Sequence, residues 1–368
     1  MSAGTGRYGA RDRSSSGGVG RRATGDRATD APLRDYLDAF LTTMRPLHYA
    51  DLVRIQPPPH ATLFHGGAGM AYALWRLGET AQARRWAQHA LADRRRGAFA
   101  WGYAAPATSF LFGRAGLHWV HALLGDEAAA TRFRRLAARA GDSEFIDGMA
   151  GYLTGARLLL ARREDAALRR AASALAARLA QRVRRRSGRP WRERDAAGGF
   201  AHDWAGQLHA LLEWHRATGE APPAWLVASL HRLAAAWDPA VGRRPGLQGA
   251  WCQGATGMVL LWGSAYRTTG ERAFLQCARA AGRVAARADH GVADLCCGSA
   301  GAAFGLLELD AVDPGRGWRE AAHRLGLQAV QAEGLAWPYG LFRGHAGLAC
   351  LALDLLAERP VGFPAVLG

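Results

Sequence analysis

Self-similarity sharply limits the folds open to this 368-residue chain. The element Gly-x-x-Gly, each time followed by an apolar run, stands at Gly66–Gly69, Gly113–Gly116, Gly148–Gly151, Gly254–Gly257, Gly298–Gly301 and Gly344–Gly347. A seventh copy carries Asp203 in the first position and Gly206 in the last. Successive copies start 47, 35, 55, 51, 44 and 46 residues apart, and each interval holds two helices with their loops. Seven two-helix units are expected.

The stretches between copies share one grammar. Gly78, Gly125, Gly219 and Gly270 each follow an apolar run, as a glycine does just past a helix end, and each is followed by an acidic residue that suits the first turn of a new helix. The first helix of each unit is apolar and Gly-rich, so it should be buried. The second is amphipathic and Arg-rich, so it should face water. A further helix over Leu33–Leu47 completes the outer set. Since no polar cap follows the last copy, closure is favoured over an open solenoid. The expected fold is all-α, an (α/α) toroid of seven inner and seven outer helices. Residues 1–30, rich in Arg, Gly and Ser, read as a disordered basic tail, and 31–368 as a single toroid domain.

Composition narrows the setting. A hydrophobic fraction of 49% supplies a full core, yet Arg interrupts every Ala/Leu-rich segment, so no membrane span is expected. Without an apolar export signal, the chain is expected in the cytoplasm. The net charge of +16 comes from 47 basic residues, all Arg, against 31 acidic ones. They recur along helical stretches as solvated faces, which argues against nucleic acid and leaves an acidic peptide as the better partner. Five cysteines, an odd number, favour thiol or metal chemistry over disulfides.

The residues just before the elements form one comparable set: His65, Phe112, Asp147, His202, Trp251-Cys252-Gln253, Cys296-Cys297 and Arg343. Ordinary helix caps would be Ser, Thr or Asn. Instead three thiols fall at the same end of two neighbouring units. Zinc takes thiolates in tetrahedral geometry, and three protein ligands with an open position mark a reactive site. Both sulfurs of a Cys-Cys pair can reach one ion only from a loop, which Gly298 permits. The alternative, cysteine as a small buried hydrophobe, is assigned to Cys277 and Cys350. His202 occupies a cavity-facing slot after Gly198-Gly199 and is suited to proton transfer. Glu144 and Asp147 either orient it and balance its charge or are solvated loop carboxylates. His118, His121, His209, His215 and His323 lie within helical runs and are expected to be hydrogen-bonded core residues. A toroidal glycosidase would need two cavity carboxylates; Glu144, Asp147 and Asp203 are on offer, but the thiols would go unexplained.

The segments Trp251–Gly257, Leu295–Gly301, Phe200–Gly206 and Leu341–Leu348 resemble the hallmark motifs of the lanthionine synthetase C-like proteins, the lanthipeptide cyclases and their relatives. The resemblance runs from about Leu33 to Leu356. It implies a seven-plus-seven toroid holding one Zn2+, which activates a peptide cysteine thiol for addition to dehydroalanine or dehydrobutyrine. Cys252 and Cys296 match the family's cysteine ligands. The third ligand is commonly His; here it is Cys297, as in the three-cysteine domains of some large bifunctional synthetases. His202 matches the active-site histidine, Glu144 stands where the family has Asp, and Gln248 where some cyclases have Arg. The implied substrate is a dehydrated precursor peptide. No dehydratase or kinase region is present, so a separate dehydratase or kinase/lyase is the expected partner. Three thiolates would leave the zinc site at charge −1, and a substrate thiolate would take it to −2. Two alternatives stay open: addition of glutathione or another small thiol to dehydroamino acids, and a non-catalytic peptide-binding toroid.

Overall fold

The structure is a computed structural model describing residues 30–44, 48–93, 95, 98–101, 103–104, 108–187, 199–238, 247–335 and 337–367. Its inner helices are α3 (Gly67–Arg76), α5 (Arg114–Leu123), α7 (Met149–Leu160), α9 (Trp204–Thr218), α11 (Ala255–Thr269), α13 (Ser299–Asp310) and α15 (His345–Leu356). The outer ones are α1 (Ala31–Met44), α4 (Thr80–Ala92), α6 (Glu127–Arg139), α8 (Ala166–Ser187), α10 (Ala224–Ala236), α12 (Arg272–Arg287) and α14 (Trp318–Val330). A short α2 (Tyr49–Ile55) joins α1 to the first unit. The described strands are the two-residue pair β1 (Ala100–Trp101) and β2 (Tyr103–Ala104), antiparallel.

Each inner helix starts at its repeat element and contacts the next inner helix, and α15 returns to α3. The first helix in sequence, α1, packs on α15 as the outer member of the last unit. The ring is therefore closed by the two ends of the repeat array, as expected of a toroid rather than a solenoid.

Backbone hydrogen bonds repeat the closure in the loops. The residue two before each element donates its N–H to its counterpart's carbonyl in the next unit. Phe64 bonds to Leu111 (3.0 Å), Leu111 to Ile146 (3.1 Å), Ile146 to Ala201 (3.3 Å) and Ala201 to Cys252 (3.0 Å). Cys252 then bonds to Cys296 (3.3 Å), Cys296 to Phe342 (3.1 Å) and Phe342 back to Phe64 (3.0 Å). Seven loops are thus stitched into one rim. The last glycine of every element sits where its loop folds back: a Cβ there would lie 2.1–2.4 Å from the carbonyl oxygen three residues before the element. That preceding residue is Leu63, Phe110, Phe145, Phe200, Trp251, Leu295 or Leu341, each at most 1% exposed. Their side chains form the core directly beneath the rim, with Phe200 set between Phe145 (5.2 Å) and Trp251 (5.5 Å).

Gly219 and Gly270 terminate α9 and α11 in the left-handed conformation, as their place in the repeat implies. The expected helix over Leu33–Leu47 begins at Ala31 and is described to Met44; residues 45–47 lie outside the described residues. The same holds for residues 1–29 of the basic tail, whereas Asp30 is buried and accepts hydrogen bonds from Arg34 and His323. No helix among the described residues is long and apolar enough to cross a membrane.

Past α15 the chain turns inward. Phe363, Ala365 and Val366 are fully buried against residues of α3, α7 and α13.

Candidate metal centre and active site

The rim brings three sulfurs together. Cys252 precedes α11 by three residues, and Cys296 and Cys297 sit in the turn before α13. The Sγ–Sγ distances are 3.7 Å for Cys252–Cys297 and 3.5 Å for Cys296–Cys297, and all three lie within 4.8 Å of one another. Thiolates at about 2.3 Å from a tetrahedral zinc are separated by about 3.8 Å, so the triangle fits that ion. Cys296 and Cys297 are buried and Cys252 is half-buried.

Arg343, from the seventh loop, donates from Nη2 to Cys297 Sγ at 3.5 Å, and its Nε lies 3.6 Å from Asp294 Oδ2. Asp294 Oδ1 in turn accepts the Cys297 N–H at 2.8 Å and holds the Cys-Cys turn. Its bonds with Cys252 and Cys296, assisted by the Arg343 charge, push the Cys297 thiol far down. Cys252 is drawn down by its bond with Cys296 but raised more by its bond with Cys297 and by burial. Bonds with Cys252 and Cys297, together with burial, raise Cys296. The Arg343 guanidinium thus stands where it favours a thiolate at Cys297. A cavity of about 520 Å3, walled by loops 288–294 and 332–335, opens at the Arg343–Asp294 pair.

His202 lies in the fourth loop, half-exposed, with Nδ1 2.9 Å from Glu144 Oε2. That hydrogen bond, then the charges of Glu144, Asp147 and Asp203, raise the imidazole pKa against the opposing effect of burial. Asp147 Oδ1 is buried and has no hydrogen-bond partner among the described residues. Asp203 pairs with Arg186 at 3.1 Å. The dyad's loop adjoins the thiol loop through the Ala201 N–H to Cys252 carbonyl bond. Gly199 serves this approach, since a Cβ there would lie 2.6 Å from the Cys252 oxygen; Gly198 lies outside the described residues.

The remaining expectations divide. Cys350 is fully buried in α15 and Cys277 half-buried on α12, and both are free thiols. Gln248 sits in the turn before α11, where its carbonyl accepts the Ala255 N–H at 2.7 Å. His65 is packed among Phe64, Trp337 and Phe112, and burial with the nearby Arg343 charge lowers its pKa to about 3. His121 and His323 are hydrogen-bonded, to Ala87 O and Asp30, as expected of core histidines. His209 is not: it is fully buried against Phe200, and neither ring nitrogen has a hydrogen-bond partner among the described residues. Burial keeps it neutral, with a pKa lowered to about 3.

Sequence reasoning missed Asp294 and gave Arg343 no role. A signal was present four residues before some of the elements, although Gly199, Ala250 and Gly340 hold that place in three units. There Thr62, Ser109 and Asp294 each cap the N–H three residues on, at 3.1, 2.9 and 2.8 Å. Glu144 occupies the same register but reaches His202 instead.

A model of the lanthionine synthetase C-like protein family matches residues 57–367, a span that takes in all seven repeat elements. No curated protein sequence matches the chain. Among solved structures, nisin cyclase is similar in fold, with a TM-score of 0.60 at 14% identity, covering 90% of this chain and 94% of the other. The repeat, the closed double ring of helices and the family match agree: this chain belongs to the lanthionine synthetase C-like protein family.

Proposed function

We propose that the chain, as one toroidal domain over 31–368, is a zinc-dependent cyclase that closes lanthionine and methyllanthionine rings in a dehydrated precursor peptide. The observation that carries this reading is the sulfur triangle of Cys252, Cys296 and Cys297, whose spacing suits one tetrahedral ion with a free corner. These three residues would hold the zinc, which when bound supplies the Lewis acidity that keeps an incoming peptide thiol deprotonated.

The chain's own residues account for the rest. Arg343 lies against the sulfurs and offsets the negative charge that a fourth thiolate adds. Addition forms a carbon–sulfur bond at the β-carbon of the dehydroamino acid and moves the alkene electron pair to the carbonyl, giving an enolate. The enolate takes a proton at its α-carbon, so the proton lost by the thiol is replaced and no oxidant or reductant is consumed. With Nδ1 engaged by Glu144, Nε2 of His202 is the nitrogen left to deliver that proton. Glu144 holds the ring and favours its protonated form, and the Asp147 charge adds to this. Dehydration would come from a separate dehydratase or kinase/lyase, and the Arg-rich outer faces suit an acidic leader. A cytoplasmic setting would keep the thiols reduced.

The test is mass spectrometry with thiol alkylation on a dehydrated precursor incubated with the purified protein, with and without glutathione. Cysteines that become unalkylatable with no mass gain are the expected result. A glutathione-sized mass gain would favour small-thiol addition, and full alkylation in both arms would leave a binding toroid.

A further inference from the structure

The chemistry above makes no use of the segment after α15, yet that segment occupies the toroid axis beneath the thiols. The Phe363 ring, fully buried, lies 5.6 Å from Trp251, 5.4 Å from Phe304 and 6.3 Å from Phe342. Trp251 immediately precedes Cys252, Phe342 immediately precedes Arg343, and Phe304 stands on the helix that begins two residues after Cys297. One side chain therefore touches all three units that supply the sulfurs and their guanidinium. Trp251 and Phe342 also meet each other at 5.0 Å, so the three rings form one packed unit under the cluster.

The segment is held at both ends by buried polar groups from distant helices. Gly362 donates its N–H to Asp354 Oδ2 at 2.8 Å, and its carbonyl accepts from Arg76 at 2.9 Å. The Val366 carbonyl accepts from Arg157 at 2.9 Å, and Ala365 donates to the Tyr72 hydroxyl at 3.3 Å. Arg76 is itself paired with Asp354 at 2.6 Å, and Arg157 lies 3.9 Å from Glu213. Ala365 adopts φ 58°, a strained value for an L-residue that persists only where the surroundings impose it. Units one, three and seven thus fix the place of a ring that packs on units five, six and seven.

We infer that Phe363 is a positioning residue: an axial plug that sets the spacing of the Cys252 loop, the Cys296–Cys297 turn and Arg343. The inference rests on reading those thiols as a metal site. It extends that reading from the ligands to the packing that holds their loops in register. Supporting partners of metal ligands are worth about 10- to 100-fold in affinity, which is the scale expected here.

The experiment uses the full chain carrying Phe363→Ala, Phe363→Leu or, as a control, Phe133→Leu, whose ring packs on Tyr152 (5.3 Å) and on none of the thiol loops. Zinc affinity is read by chelator competition, and alkylation rates of Cys252, Cys296 and Cys297 are mapped in metal-free protein. Phe363→Ala should weaken zinc about 10- to 100-fold and speed alkylation of the buried Cys296 and Cys297. Phe363→Leu should fall between, and should carry the test if the alanine variant does not fold. The control should lower the unfolding midpoint and change neither readout. Parent-like affinity and alkylation in the Phe363 variants would overturn the inference. Failure of the parent chain to take up zinc would sink the metal reading alone, because the alkylation comparison still decides the role of Phe363.

Discussion

Gly301→Ala would place a Cβ 2.2 Å from the Leu295 carbonyl oxygen and 3.0 Å from its carbon, where ordinary contacts start near 3.4 Å. Both are backbone atoms, so relief requires moving the turn by more than a side-chain rotation. Overpacking of this kind costs about 1–3 kcal/mol. The same turn carries Cys296, whose N–H bonds to Phe342 O (3.1 Å) and whose carbonyl accepts from Trp251 (3.0 Å) and Cys252 (3.3 Å). Loosening one or two of these buried bonds adds about 1 kcal/mol each, for a loss of about 2–5 kcal/mol. Gly263, in the middle of α11, is the internal comparison: a Cβ there meets no atom within 4 Å. Gly263→Ala should gain about 0.5–1 kcal/mol from the improved helix propensity. Urea unfolding of both variants, followed by circular dichroism, measures the contrast. A Gly301→Ala variant within 1 kcal/mol of the parent would refute the idea that carbonyl approach is what keeps the last position of each element glycine.

Three further outcomes follow from the charges. His209 stays neutral in the fold while the unfolded state takes up a proton below about pH 6.5, so stability is present above that pH and is lost as the pH falls toward the folded value of about 3. Between pH 7.5 and 5 that loss is about 2 kcal/mol, and His209→Leu should remove it; an unchanged pH dependence of unfolding would contradict the neutral assignment. Glu144→Gln takes away the hydrogen-bonded charge that raises the His202 pKa, so the alkaline limb of the ring-closure rate should move to lower pH. A limb that stays in place would mean that another group titrates there. His202→Ala should retain zinc and helical content while losing ring closure, and cyclisation at the parent rate would remove His202 from the chemistry.

Much of the architecture was legible because the repeat couples a local requirement to a global one. The last glycine of each element is demanded by its own turn, and seven such turns fix the number of inner helices. The convergence of Cys252, Cys296 and Cys297 was readable for the same reason, since equivalent positions in neighbouring units become neighbours on the rim. What escaped notice depends on contacts between units at non-equivalent positions. Arg343 meets Asp294 only because loops six and seven adjoin, and the register four residues before the element differs in chemistry from unit to unit. Phe363 lies in a short apolar segment with no helical period, so its place on the axis could not be read from pattern. His209 shares the helical spacing of the bonded histidines, and its unsatisfied ring comes from Phe200, a neighbour the period does not specify.

Zinc K-edge X-ray absorption on the full chain loaded with one equivalent of zinc examines the sulfur triangle itself. Three sulfurs at about 2.3 Å with one further ligand should fill the first shell. A shell of nitrogen and oxygen, or one with a single sulfur, would show that Cys252, Cys296 and Cys297 do not bind the ion together.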